Sequence, residues 1–228
     1  MVEPTSIEIA GILILEPVTT VTDLLVTAVC YYAFYHLRYH EHKKTQHVKF
    51  YRYFFLFMGT ATLLGGVIGH AFLYLFSFEW KVPAWIVSMI AIALAERAAI
   101  MRSRQLMHHH LGKFFTVLNL IELIVFMFIS VYTLRFIFVE IHAMYGLLVV
   151  VLSFEGYIYL RTRDENSKLV LWCVFLAALA AGAHIGQITI HKWFNYFDLA
   201  HVLMAISCGI LYKAVKGMVP ELDRVGNR

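Results

Sequence analysis

Seven apolar blocks, each about 20 residues or longer, run along this chain, separated by short polar segments. Blocks of that length match a bilayer crossed as α-helix, not the roughly 10-residue strands of a barrel. The pattern predicts helices over 16–38, 50–78, 82–101, 113–131, 136–159, 168–190 and 194–216. The separators are legible: "RYHEHKKTQHVKF" and "RSRQLMHHHLGK" are basic loops, "EWKVP" and "TLRF" are tight turns, "RTRDENSK" is a polar turn and "HKWFNY" is short and aromatic. No internal repeat is visible, so the expected fold is all-α: one seven-transmembrane helix bundle over residues 1–228, with a frayed tail "PELDRVGNR".

Composition agrees. The chain is 61% hydrophobic and only 15% charged, where a soluble domain carries roughly 25% charged residues. The expected protein is a multi-pass integral membrane protein. "MVEPTSIEIA" is acidic and lacks the basic region of a cleaved signal peptide, so none is expected. Cys30, Cys173 and Cys208 fall inside the spans without paired spacing and read as small buried hydrophobes. Of the 19 basic residues, 16 fall on one side of the alternating loops, leaving Lys81, Arg135 and Lys192 on the other. Positive loops face the cytoplasm, which places the N-terminus outside and the C-terminus in the cytoplasm. Nothing supports nucleic-acid binding, and neither a phosphate loop nor a nucleophile elbow is present.

Converting position to depth at about 1.5 Å per residue puts Asp23, His70, His142, His184 and His201 about 9–12 Å below the outer ends of their helices. Ionisable groups from five helices at one level describe a site rather than scattered tolerance. Asn195, Asp198 and His201 follow one stripe of the last helix, His184, Gln187 and His191 one stripe of the sixth, and Glu16, Thr19, Thr20, Asp23 and Thr27 a polar stripe down the first. Taken singly, each histidine reads equally well as an interhelical hydrogen bond. Glu96, Arg97 and Glu155 lie within reach of the cytoplasmic edge, and Glu122, deep in the fourth helix, reads only as a buried hydrogen-bonded group.

Imidazoles and carboxylates from separate helices suit zinc, which takes three protein ligands and a water in catalytic sites. The ligand set read from the sequence is His70, Asp198 and His201. His184 stands as substitute or supporting catalytic residue, and Asp23 as the residue orienting a histidine or the nucleophilic water. Glu16, nearer the surface, caps the first helix or binds a cation. The function expected is metal-dependent hydrolysis of a membrane lipid amide or ester. A non-catalytic lipid-binding receptor is the alternative, and a haem-binding redox protein a weaker one, because the histidines share one depth instead of two.

Short motifs carry a resemblance. "EPVTTVTDLL", "TLLGGVIGH", "AMYGLLV" and "FDLAHVL" resemble stretches of the alkaline ceramidases, seven-helix enzymes of the superfamily that includes the adiponectin and progestin receptors. The resemblance implies an intramembrane zinc with His70 and His201 at ligand positions, and a ceramide-like substrate. Three positions depart from the family pattern: Gly66 stands where the family has serine, Phe197 where it has the first histidine of H-x-x-x-H, and Trp80 near its aspartate before the third helix. A three-histidine site is therefore absent. Either Asp198 or His184 completes a modified site, or the fold persists without the metal.

Overall fold

In hydrocarbon the backbone must satisfy its own hydrogen bonds, and the apolar blocks do so as seven helices long and apolar enough to cross a membrane. The computed structural model describes residues 5–39, 45–219 and 222. Its helices are α1 (Pro17–Leu37), α2 (Gln46–Ala71), α3 (Val82–Ser103), α4 (His109–Thr133), α5 (Ile137–Thr162), α6 (Glu165–Ile185) and α7 (Tyr196–Gly217). Lys43, Lys44, Arg224 and Arg228 lie outside the described residues, as does the tail expected to fray, apart from Leu222.

Two helices stop short of the sequence reading. α6 ends at Ile185 instead of 190, because Gln187 turns left-handed (φ 50°) and the chain reverses through a bridge between His191 and Phe194. Gln187 and His191 therefore do not continue a helical stripe from His184. α2 ends at Ala71 instead of 78, and the chain passes into the short 3-10 turns Leu73–Leu75 and Phe78–Lys81. His70 thus occupies the last turn of its helix.

The sequence reading also misses a hairpin. Strands β1 (Ser6–Ile9) and β2 (Ile12–Leu15) pair antiparallel about Ala10 and Gly11, which both adopt positive φ, as a primed two-residue turn requires. The Tyr74 hydroxyl donates to the Leu13 carbonyl at 2.9 Å, fastening the hairpin to the chain just beyond α2.

Six helices form a ring in the order α1, α2, α3, α5, α6, α7, with α7 closing back on α1; α4 stands outside, against α3 and α5. The α2–α3 seam is close because Ala91, Ala95, Ala98 and Ala99 are buried on α3, and small residues let helices approach. At one end of the bundle, fully buried Arg102 on α3 donates to Glu155 on α5 (2.6 Å), to Asp164 before α6 (2.6 Å) and to Ser167 on α6 (2.8 Å). Glu155, expected near the edge, is completely enclosed there. The opposite end carries the hairpin, His70 and the start of α7. Both α2 and α5 contain a π-helical stretch, Gly65–Ala71 and Gly146–Val151. Such stretches are rare and concentrate at functional sites.

Candidate functional site

Proline at the first helical position starts α1, and Glu16 before it leaves β2 in the left-handed conformation, φ 43°. That conformation is unfavourable for a residue with a Cβ. It sets the Glu16 carboxylate against His70, Oε2 to Nδ1 2.6 Å. The hydrogen bond from His70 holds the Glu16 carboxyl below the usual carboxylate range, overcoming burial, which raises it.

Seven residues on, and so on the same face of α1, Asp23 reaches two histidines from different helices. Its Oδ2 lies 3.9 Å from His70 Nε2 and its Oδ1 3.4 Å from His201 Nε2. The π-helical stretch of α2 makes this approach possible. At Gly66 a Cβ would stand 2.8 Å from the Asp23 Cβ and 3.4 Å from the Thr20 carbonyl oxygen. Glycine at this position is what lets α1 and α2 approach so closely here.

The outer nitrogens of both rings are anchored. His70 Nδ1 is engaged by Glu16, an acceptor only, so it carries the proton and leaves a lone pair on Nε2. His201 Nδ1 lies 3.1 Å from the Thr22 hydroxyl, whose single proton has acceptors in the Thr19 carbonyl (3.0 Å) and Asp198 Oδ1 (3.4 Å). That contact holds the His201 ring by Nδ1 and turns Nε2 towards Asp23. His70 Nε2, His201 Nε2 and the Asp23 carboxyl group thus face one another. Nitrogen orientation by carboxylate or hydroxyl partners behind the ring is the usual support of a histidine that binds metal.

The remaining residues read from the sequence sit differently. Asp198 does not point inward as a third ligand. It is the third residue of α7 and forms a capping box with Asn195, its Oδ2 accepting from the Asn195 N–H at 2.6 Å and its Oδ1 facing Thr22. His70, Asp198 and His201 are thus not brought together at ligand spacing. Among the described residues, the three-residue set whose ligand atoms all lie within 4.8 Å of one another is Glu96, Glu122 and His142. His184 pairs with Glu140, Nδ1 to Oε1 2.6 Å. The Phe197 ring stands between it and His70, with ring centroids 5.0 Å from His184 and 5.4 Å from His70. Thr22 and Glu140 escaped the sequence reading. Glu140, a carboxylate in the first turn of an apolar helix two residues before His142, was the more visible of the two.

A cavity of about 460 Å³ opens inside the ring, and all six ring helices line it. Asp23, His70 and His201 stand with His184 and Glu140 on its wall, and the rest is largely apolar, including Met58, Met89, Leu147 and Met204. A volume of this order accommodates a ligand of small-molecule size.

Residues 18–220 match the sequence profile of DUF6962, a family of unknown function. No curated protein matches the chain, and no solved structure does.

Proposed function

The chain belongs to the DUF6962 family, and we propose that it is an intramembrane zinc-dependent hydrolase of a lipid amide or ester, built on Asp23, His70 and His201. The supporting observation is that the Nε2 atoms of His70 and His201 both face the buried Asp23 carboxyl group, at 3.9 and 3.4 Å, on the wall of an apolar cavity. The donor types suit zinc, which binds imidazole nitrogen and carboxylate oxygen together, although the two imidazoles stand further apart than ligand spacing and must close on Asp23 to hold the ion. Asp23 here replaces Asp198 as the third ligand. When bound, zinc polarises a carbonyl and brings the pKa of its water towards neutrality.

The protein's own residues supply orientation and enclosure. Glu16 fixes the His70 ring and Thr22 the His201 ring, so that both Nε2 atoms address the cavity. The apolar lining receives an acyl chain and keeps bulk water out. His184, held by Glu140, faces the cavity beyond Phe197, where it can exchange a proton with a leaving amine or alcohol. In the orientation implied by the distribution of basic residues, the N-terminus and this site lie outside and the C-terminus in the cytoplasm, so substrate enters from the outer leaflet.

The test is hydrolysis by the purified protein in lipid nanodiscs. A ceramide and a matched ester, each carrying a fluorescent acyl chain, are the substrates, and bound zinc is measured in parallel. Release of labelled fatty acid is expected, with Glu16→Gln lowering it about 10–100-fold and Asp23→Asn, His70→Ala or His201→Ala abolishing it together with one equivalent of bound zinc. Unchanged zinc content in these last three variants would remove the reading. So would intact lipid that copurifies and is never cleaved, which would identify a binding protein.

A further inference from the structure

Glu122 has no role at the site described above, and its surroundings are unusual. It projects from α4 towards Glu96 on α3 and His142 on α5, and His142 Nε2 lies 3.6 Å from Glu122 Oε1. Glu96 and His142 are completely buried, and the Glu122 side chain is only 9% exposed. Glu122 and Glu96 lie close enough to share a hydrogen bond, in line with the sequence reading of Glu122 as a hydrogen-bonded group. That carboxyl–carboxyl contact apart, both oxygens of Glu122, Glu96 Oε1 and both nitrogens of His142 are buried without a hydrogen-bond partner.

Five orphaned polar atoms in one place, deep in a membrane-crossing bundle, are a heavy cost. Among the described residues no lysine or arginine forms an ion pair with either carboxylate. The neighbouring cation, Arg97, donates instead to Asn119 Oδ1 at 2.8 Å, and Asn119 in turn donates to Glu96 Oε2 at 3.0 Å. That relay fixes one oxygen of Glu96 and leaves the other free towards Glu122 and His142. The α5 backbone is fitted to the cluster as well: its π-helical stretch starts at Gly146, where any Cβ would collide with Glu96 Oε1.

We propose that Glu96, Glu122 and His142 form a binding site for a divalent transition-metal ion, separate from the Asp23–His70–His201 site. A proton shared between the carboxylates would satisfy those two and leave the imidazole without a partner. A single cation serves all three. Two carboxylates and one imidazole suit manganese, ferrous iron or zinc; calcium and magnesium prefer oxygen alone, and cuprous copper prefers sulfur. The site has two approaches. His142 lines the cavity of the ring, whereas Glu96 and Glu122 line a second cavity of about 440 Å³ between α3, α4 and α5. The cluster therefore forms the partition between the two spaces.

Metal stoichiometry tests the proposal on the full-length purified protein. Mn²⁺ is titrated by electron paramagnetic resonance, and retained Zn²⁺ is measured by elemental analysis after dialysis. In the His70→Ala/His201→Ala protein one equivalent of metal is expected to remain. Adding Glu122→Gln to that background should weaken its binding by at least about 10–100-fold, the loss that even outer supporting residues cause. Glu122→Asp, which retains the charge with a shorter reach, provides the same reading should glutamine disturb folding, checked by helicity. His142→Ala should also remove the histidine nitrogen coupling from the spin-echo spectrum of bound Mn²⁺. A His70→Ala/His201→Ala protein that is folded and binds no metal overturns the proposal, as does a Glu122 variant that binds as tightly as its parent. Failure of the hydrolase reading is distinct: it would appear as a wild-type protein whose metal is lost on changing Glu122 and unaffected by changing His70 and His201.

Discussion

Asp164 caps α6, accepting from the Ser167 N–H at 2.7 Å, and the same oxygen takes a 2.6 Å hydrogen bond from Arg102. Burial raises its pKa, but the Arg102 charge and the hydrogen bonds outweigh that and leave the carboxyl below the usual range. A carboxylate whose folded pKa lies below its unfolded one stabilises the fold above the unfolded pKa and ceases to do so as pH falls through the folded value. Thermal unfolding in detergent should therefore show wild-type Tm declining as the pH falls through and below the ordinary carboxylate range. Asp164→Asn should lower Tm at neutral pH and make that decline shallower. The Arg102 anchor was invisible in the sequence, because its three acceptors lie more than fifty residues away along the chain. His70 and His201, by contrast, were legible as a pair, since depth alone separates them from ordinary apolar positions. Asp198 misled for a local reason: at the third position of a helix a carboxylate finds its partner in the preceding backbone.

Single helices explain where periodicity succeeded and where it stopped. All seven spans could be read from apolar length, but the π-helical stretches of α2 and α5 carry no change in hydrophobicity, and the ends of α2 and α6 depend on backbone turns at Phe72 and Gln187. The glycines hint at them. Gly66 is required by a close approach of α1, and serine there would meet Asp23. Gly66→Ser should consequently destabilise the protein by about 1–3 kcal/mol, the usual range for overpacking, measured by Tm in detergent. It should also weaken metal binding at His70 by moving Asp23 away.

The whole molecule is polarised. Arg102, Asp164 and Asn166 meet the C-terminal end of α7 at one end, Asn166 donating to the Gly217 carbonyl, while Glu16, His70 and His184 gather at the other. The basic residues predict which end faces the cytoplasm. Single cysteines at Lys192 and Lys168, in a background with Cys30, Cys173 and Cys208 replaced, should react oppositely in intact cells: a membrane-impermeant maleimide labels position 192 and spares 168. The reverse labelling would invert the protein and move the substrate to the inner leaflet.

α4 is the least enclosed span: 17% of its apolar window is buried, against 56% for that of α3. It rests on two neighbours and delivers Glu122 from outside the ring. Among the described residues its packing is against α3 and α5, so acyl chains lying on its far side would bear on the Glu96–Glu122–His142 partition. Lateral pressure and thickness of the host membrane would then tune how firmly those three groups close on one another, and a micelle would not reproduce that grip.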